Sequence, residues 1–220
     1  MKSAFLFLIL VTVFSCAPSH FVKPLQKGEK ALNAAVGGPL IGFANTVIPV
    51  PLSSLTAGYG IKEDLTGFAT IHTTSLLFGL GHLELGLVKE VFPQKEWRPA
   101  LCLTPQVDIV TDFQHAFKCW PVLELNARWK DRKKESFFYL GLSNWFELSS
   151  TRAGEEPQQH FWIFNPHIGR TFVRQKWDYT IEAKWLAPNI ERLPNVVDYK
   201  GPGHMGAFGI YFGITRKLQK

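Results

Sequence analysis

Apolar and polar residues alternate with a period of two from about residue 28 to the end of the chain. The clearest case is the segment from Trp177 to Trp185, in which every second residue is apolar and the residues between them are polar or charged. Residues 122–130 and 207–215 show the same pattern. Because successive side chains of a β-strand point to opposite faces, this period predicts strands with one apolar and one polar face.

The same alternation defines ten predicted strands along the chain. They are roughly residues 28–38, 53–62, 65–75, 80–90, 99–112, 117–130, 135–149, 160–173, 176–186 and 204–216. Most have about the length of a tilted strand that crosses a bilayer, 9 to 11 residues. No second domain or repeat is visible. Residues 28–220 are therefore predicted to form an all-β fold, an antiparallel up-and-down β-barrel of about ten strands (8–12).

The connections between the predicted strands alternate in length. Residues 62–64 and 174–176 form short turns, whereas residues 39–52 and 187–203 are long and rich in Pro, Gly and Asn. In an up-and-down order, both short turns fall at one end of the barrel and both long connections at the other. Bacterial outer-membrane barrels show this asymmetry, with the short turns in the periplasm.

Alternation alone does not say which face is inside. In a soluble barrel the apolar face fills the interior, and in a membrane barrel it meets lipid. Aromatic residues on the apolar faces favour the membrane version, since such rings suit the membrane interface; they are Trp129, Trp145, Trp177, Tyr179 and Trp185. Glycines on the polar faces indicate a narrow lumen filled by side chains of other strands; they are Gly58, Gly60, Gly209 and Gly213.

Two features count against a membrane barrel. Pro105, Pro121 and Pro166 fall inside predicted strands, where each lacks an N–H for the ladder. Residues 214–220 also lack the terminal aromatic residue that outer-membrane assembly commonly recognises.

The first sixteen residues resemble a lipoprotein signal peptide. Lys2 precedes an apolar run over residues 4–14, which is shorter than the roughly 20 residues of a membrane-spanning helix. Val13-Phe14-Ser15-Cys16 then resembles a lipobox, although Phe14 replaces the usual small residue. A plain secretory signal fits the charge and length as well, but the cysteine favours the lipoprotein version.

Three segments are therefore predicted: a signal peptide over residues 1–15, a lipidated linker over residues 16–27 and the barrel domain over residues 28–220. Cys16 would carry diacylglycerol and an N-acyl chain such as palmitate, which together anchor firmly in a membrane. Ala17, in place of the Asp that retains some lipoproteins in the inner membrane, favours the outer membrane.

As a whole, the chain resembles a small bacterial outer-membrane β-barrel joined to a lipoprotein signal. The resemblance rests on residues 37–40 (Gly-Gly-Pro-Leu) and on residues 57–61 (Ala-Gly-Tyr-Gly-Ile) before the turn at residues 62–65. It covers residues 28–216 as a pattern and brings no catalytic residue with it. It implies an outer-membrane location, contact with membrane lipid and an N-terminus on the periplasmic side.

If the polar faces line a lumen, they bring charged side chains together there. These residues are His82, Glu84, Asp108, Glu124, Arg128, Asp178, Glu182 and Lys184. Burying such groups unpaired would cost several kcal/mol. We therefore expect a network of ion pairs that plugs the lumen, in a non-enzymatic component of the cell envelope.

Two other functions remain open. A periplasmic lipocalin-like carrier would line an apolar cavity with the aromatic residues Trp177, Tyr179, Trp185, Phe208 and Phe212. An outer-membrane enzyme that modifies lipids would use a rim site, for which residues 72–75 (His-Thr-Thr-Ser) and His115 near Asp112 are candidates. The chain has no Gly-x-Ser-x-Gly motif, and His82 with Glu84 is too few ligands for a metal site. No catalytic residue, cofactor or metal is predicted.

Charge and cysteine content add little to this picture. The net charge is +6, or +5 without residues 1–15, and the only basic run is residues 128–134, which is typical of a solvated turn. No nucleic-acid partner is therefore predicted, and no protein partner is indicated. A disulfide between Cys102 and Cys119 is not favoured, because the turn near residues 114–115 would place Cys119 opposite Val110.

Overall fold

A computed structural model describes residues 20–114, 117–131, 134–151, 157–192 and 197–218. These residues form eleven β-strands and one short helix. The first six strands are β1 (Lys30–Phe43), β2 (Thr46–Pro49), β3 (Leu52–Lys62), β4 (Leu65–His72), β5 (Gly81–Phe92) and β6 (Ala100–Thr111). The others are β7 (Phe117–Lys130), β8 (Phe137–Phe146), β9 (Trp162–Val173), β10 (Trp177–Glu191) and β11 (Met205–Leu218), and helix α1 spans Thr73–Leu77.

Ten of these strands, all except β2, close into an antiparallel barrel. Strand β1 pairs with β3, and each later strand pairs with the next one along the chain. The barrel closes where β11 pairs with β1, from Lys30 opposite Leu218 to Pro39 opposite Gly209. The predicted all-β, up-and-down barrel of about ten strands is confirmed.

The two ends of the barrel differ as the sequence predicts. Residues 63–64 and 174–176 make tight turns at the end where β1 begins and β11 ends, which we call the short-turn end. The opposite end, the loop end, carries residues 73–80, residues 147–151, 157–161, 192 and 197–204 of two longer connections, and the hairpin of β1 with β2. Ala44 and Asn45 both have positive φ in that hairpin, as a type I′ turn requires.

The three strand prolines are accommodated within the ladder. Pro121 lies opposite Val107 and Pro166 opposite Leu142 in regular antiparallel pairs. Near Pro105, the pairing of β5 with β6 is interrupted between Gly86 opposite Gln106 and Lys89 opposite Leu103. An antiparallel residue bonds to one neighbouring strand only, so each proline disturbs at most one side of its strand.

Polarity across the barrel wall is inverted relative to a soluble protein. In β10, Asp178, Glu182 and Lys184 are buried, whereas Tyr179 and Ile181 are more than 40% exposed. The other barrel strands show the same bias, with most buried polar residues in the lumen and the large exposed apolar residues on the outside. Among the described residues, no helix is long and apolar enough to cross a bilayer.

The outer face carries most of the aromatic residues that the sequence assigns to it. Trp129 stacks on Phe138, Trp185 packs on Phe208, and Trp177 and Tyr179 are exposed on the outside of β10. Trp145 was expected there as well, but it faces inward. It lies opposite the buried Val122 and packs against the ring of Trp120.

The two cysteines lie apart. Cys119 is opposite Ile109, one residue from the predicted Val110, while Cys102 is opposite Asn126. Both thiols are free.

Candidate functional site: the polar lumen

All eight charged residues predicted for the lumen turn inward. Seven are buried, and the side chain of Arg128 is 12% exposed. Among the described residues, their ion pairs and ring contacts group them into two clusters and two separate ion pairs.

The first group, the Lys184 cluster, connects four strands. Lys184 Nζ lies 3.3 Å from Glu182 Oε1 and 4.0 Å from Glu124 Oε2. Tyr139 Oη donates a 2.6 Å hydrogen bond to Glu182 Oε2. Lys184 also lies 5.9 Å from the centre of the Tyr211 ring. One ammonium group therefore lies between two carboxylates in the lumen.

Amide and imidazole groups extend this cluster across the lumen. Asn126 Nδ2 donates a 2.7 Å hydrogen bond to Glu124 Oε1. The Oδ1 atom of the same Asn126 lies 2.9 Å from His167 Nε2. The cluster thus reaches from β7 to β9 through the buried side chains of Asn126 and His167.

The second group, the His82 cluster, lies on β4, β5 and β6 near the loop end. It contains His72, His82, Glu84 and Asp108, all buried. The rings of His72 and His82 stack with their centres 3.9 Å apart. Glu84 lies directly opposite Asp108, and Glu84 Oε2 is 3.4 Å from His72 Nε2.

Two ion pairs lie nearer the short-turn end. Arg128 Nη2 is 2.5 Å from Glu90 Oε2, and Lys217 Nζ is 2.9 Å from Asp178 Oδ1. The basic run of residues 128–134 is therefore divided, since Arg128 faces the lumen and Lys130 pairs with Glu135 in the turn.

Residues 20–27 lie inside the barrel, and we call them the lumen segment. Phe21, Val22 and Leu25 are buried. Phe21 packs with Leu25 and Phe68, and Val22 packs with Phe137 and Tyr139. These contacts place the described part of the predicted linker within the lumen. Cys16 and the rest of the predicted signal and linker lie outside the described residues.

Polar contacts fix the lumen segment at both ends. The backbone N–H of Leu25 donates a 2.7 Å hydrogen bond to Thr66 Oγ1 near the short-turn end. Farther in, His20 Nε2 is 3.4 Å from Glu84 Oε2, and His20 Nδ1 is 3.1 Å from Thr56 Oγ1. The segment therefore runs from the short-turn end up to the His82 cluster.

Glycines on the inner face of β3 make room for this segment. A methyl group at Gly58 would lie 2.6 Å from the Phe21 ring, and one at Gly60 would overlap the carbonyl oxygen of Gln26. The sequence predicts that lumen glycines leave space for other side chains, and at Gly58 and Gly60 the lumen segment occupies that space. At Gly209 the ring of Tyr211 occupies it, 2.7 Å from the position of such a methyl group.

At the loop end, Glu147 links two elements. Its Oε2 accepts a 2.8 Å hydrogen bond from Trp120 Nε1, and its Oε1 accepts a 2.7 Å hydrogen bond from the backbone N–H of Ser149. Burial would raise the pKa of Glu147, but the hydrogen bonds from Trp120 and Ser149 outweigh it and lower the pKa.

Sequence reasoning missed several residues of these clusters. Asn126, Tyr139 and His167 occupy lumen-facing positions of the same alternation, so counting uncharged polar residues would have found them. His20 had no such signal, because residues 20–27 have no strand period. His72 was expected at an exposed rim, but it is 3% exposed and faces the lumen.

Fold and lumen together define a class: a closed ten-strand β-barrel with an apolar outside and a polar inside. No protein-family model matches the chain. No curated protein matches it either.

Several solved structures share the barrel architecture. One is an outer-membrane channel from Pseudomonas putida F1, with 8% identity, a TM-score of 0.49 and coverage of 91% of this chain and 99% of that one. Another is the translocator domain of autotransporter NalP from Neisseria meningitidis, with 8% identity, a TM-score of 0.46 and coverage of 99% and 96%. A third is the outer membrane protein OprG from Pseudomonas aeruginosa, with 9% identity, a TM-score of 0.36 and coverage of 90% and 99%. Likeness at this level carries no information on activity.

Proposed function

We propose that this protein is a bacterial outer-membrane β-barrel with a closed lumen, anchored by a lipid at Cys16, and that it serves the cell envelope without catalysis. The observation that carries the proposal is the inverted polarity of the barrel wall. Large apolar side chains are exposed on all ten strands of the barrel, while the buried ionisable groups of the strands, such as Glu84, Asp108 and Glu182, face the lumen.

The outer surface is unsuited to water. Leu32, Leu55, Leu140, Ile168 and Phe212 lie on five different strands and are each more than 40% exposed. A monomer in water rarely exposes a continuous apolar patch larger than about 300–600 Å². A band of this kind around a closed barrel is the surface that a bilayer solvates.

The same geometry disfavours the lipocalin-like carrier. In the described residues, Trp177, Tyr179, Phe208 and Phe212 are exposed on the outer face, and Trp185 joins Phe208 there. The aromatic residues that would have lined an apolar cavity thus lie outside the barrel, and buried polar groups take their place inside.

Two layers support a closed lumen. The lumen segment fills the barrel from the short-turn end, with Phe21 and Leu25 against one wall and Val22 against the opposite one. Across the remaining space, the Lys184 cluster joins side chains from β7 to β11. We expect these two layers to close the lumen to ions.

The proposal includes no enzymatic site. The best sequence candidate, His72, is buried beside His82 and Glu84. A lipid in the surrounding bilayer would have to reach it through the barrel wall. The other candidate, His115, lies outside the described residues.

Lipid anchoring at Cys16 is proposed from the lipobox of residues 13–16. Fully extended, the chain between Cys16 and His20 spans about 14 Å at most. Because His20 lies beside Glu84 near the loop end, a periplasmic anchor requires the chain before His20 to turn back toward the short-turn end. We place the short-turn end, where β1 begins, in the periplasm, because outer-membrane barrels keep their short turns there.

Fractionation tests the membrane assignment. We expect the mature chain with Cys16→Ala, exported to the periplasm, to be recovered from outer membranes only with detergent and to migrate faster on gels before heating than after it. Recovery in the soluble fraction would overturn the membrane barrel. Labelling with a palmitate analogue tests the anchor separately: the wild type should incorporate it and the Cys16→Ala chain should not.

Single-channel recording in planar bilayers tests closure. We expect no steady conductance from the full wild-type chain. A variant with Phe21→Asp and Leu25→Asp should show opening events, because two charges would be forced into an apolar contact. Gln26→Asp is the control, since Gln26 is an exposed residue of the same segment. A steady open level in the wild type would contradict closure.

A further inference from the structure

The His82 cluster contains more potential ligands than the pair His82 and Glu84 that the sequence places on one strand. His72 ends β4, His82 lies near the start of β5, and Asp108 lies on β6. One ligand atom of each lies within 4.8 Å of the others. The fold thus brings two imidazoles and a carboxylate together from three adjacent strands.

These ligand atoms are shielded from water. His72, His82 and Asp108 are 3%, 4% and 1% exposed. Within the described part of the chain, His82 Nε2 and Asp108 Oδ1 have no hydrogen-bond partner. A buried polar atom without a partner costs about 1–3 kcal/mol, so two such atoms in one cluster call for a ligand that satisfies both.

The charge of the cluster points to a cation. Glu84 and Asp108 are directly opposite each other on β5 and β6, and like charges in that position destabilise a sheet. In the described residues, no lysine or arginine forms an ion pair with either carboxylate. Among the described residues, the ion pairs of Glu84 are with His20 and His72, and Lys184 is already held between Glu124 and Glu182.

We propose that His72, His82 and Asp108 bind a divalent transition-metal ion of the zinc type. Two imidazole nitrogens select such an ion over Ca²⁺ and Mg²⁺, which prefer all-oxygen sites. Three protein ligands leave one position of a tetrahedral ion for water or for Glu84. The ion's two positive charges balance the carboxylates of Glu84 and Asp108.

Glu84 would also hold one of the ligating histidines in place by contacting its ring. Ligating histidines usually donate their other ring N–H to a carboxylate, which fixes the ring. Glu84 Oε2 is 3.4 Å from His72 Nε2 and 3.4 Å from His20 Nε2. The metal site would therefore be in contact with the lumen segment through Glu84.

Binding requires a small contraction of the cluster. Around a tetrahedral zinc ion, with bonds of about 2.0–2.1 Å, the ligand atoms are about 3.3 Å apart. In the structure the ligand atoms of the three residues lie within 4.8 Å of one another. Binding would therefore require the two stacked rings to turn their nitrogens toward the ion. The site lies near the loop end, where β4 ends at His72 and β5 begins at Gly81, so that mouth is the nearer one.

Zinc titration of the full chain in detergent micelles, stripped of metal with a chelator, tests the proposal. We expect one Zn²⁺ per chain in competition with a chromophoric chelator. His82→Gln and Asp108→Asn should each weaken binding by about 100-fold or more, since even second-layer substitutions cost 10–100-fold. His204→Ala, at an exposed histidine of the loop end, is the control and should bind as the wild type does.

A spectroscopic readout does not depend on the variants. Co²⁺ added to the wild type should give the strong visible bands of a tetrahedral ion with nitrogen and oxygen ligands. The absence of saturable zinc binding and of those bands would overturn the site, as would unchanged affinity in correctly folded His82→Gln and Asp108→Asn. Heat-dependent gel mobility reports folding in every sample, so a failed metal site stays distinct from a failed barrel assignment.

Discussion

At the scale of single residues, Gly60 shows how closely the lumen segment fits the barrel wall. Its backbone pairs with the chain that enters the lumen, since Gly60 N–H donates to Glu29 O and Gly60 O accepts from Gly28 N–H. A side chain at this position would overlap the Gln26 backbone, which cannot rotate away as a side chain can.

We therefore predict that Gly60→Ala loosens the lumen segment. Overpacking of this kind costs about 1–3 kcal/mol, and planar-bilayer recording should show opening events that the wild type lacks. Gly213→Ala is the matched control, because its methyl group would come no closer than 3.4 Å to any neighbour. Equal behaviour of the two variants would contradict the fit described for Gly60.

Lys184 is the residue on which the charge balance of the central lumen depends. We predict that Lys184→Met destabilises the barrel by about 3–5 kcal/mol, because removing one partner leaves buried charges uncompensated. Urea unfolding in detergent, followed by heat-dependent gel mobility, measures the loss.

A second substitution separates the charge effect from packing. Adding Glu182→Gln to Lys184→Met should recover part of the stability, since Glu182 then no longer carries a buried charge near Lys184. Additive losses would show that the two side chains act independently.

At the scale of elements, the sequence predicted the existence of the strands well and the residues at which they end less well. The period-two pattern predicted residues 117–130, which match β7 (Phe117–Lys130). It predicted that the third strand continues to residue 75, but β4 ends at His72 and α1 begins at Thr73. It ended the first strand at residue 38, whereas β1 continues to Phe43 by pairing with β2.

Sequence periodicity shows which face of a strand is apolar, but it does not show which residues from distant parts of the chain are in contact. All eight charged lumen residues could be predicted from their faces. Their division into two clusters and two ion pairs depends on register, which only the pairing of strands fixes. The position of the lumen segment could not be predicted for another reason. Residues 20–27 bond to strands but do not have the period of two that strands have.

The loop after β8 provides an element-scale test with pH. The hydrogen bonds from Trp120 and Ser149 lower the pKa of Glu147 in the folded protein, so the contribution of Glu147 is present above its unfolded pKa of about 4.3. It is lost as the pH falls through the lower folded value. We predict that the protection of the Ser149 amide against hydrogen exchange, taken relative to its intrinsic rate at each pH, falls in that acidic range.

Glu147→Gln is the comparison for this prediction. Its Ser149 amide should exchange faster at neutral pH and show no acidic transition of its own. A transition of the same size in both proteins would assign it to another group.

At the scale of the whole molecule, the inverted polarity makes one substitution diagnostic. Leu140 lies mid-strand in β8 and is 46% exposed. In water, Arg at such a site would be tolerated, but at the bilayer midplane it costs about 2–4 kcal/mol. We predict that Leu140→Arg lowers folding yield and stability in lipid vesicles.

A loop residue provides the matched control for that prediction. Leu148→Arg makes the same change at an exposed position beyond the end of β8, where stability should change by no more than about 0.5 kcal/mol. A Leu140→Arg chain as stable as the Leu148→Arg chain would argue that the outer face of the barrel meets water.

The closure of β11 on β1 bears on both folding and unfolding. Lys30 and Leu218 are paired although almost the whole barrel lies between them in the chain, and contacts between such distant residues make folding slow. Once sealed, the barrel has no free edge at which unpairing can start. We therefore expect its lifetime to depend on a slow unfolding rate more than on its equilibrium stability.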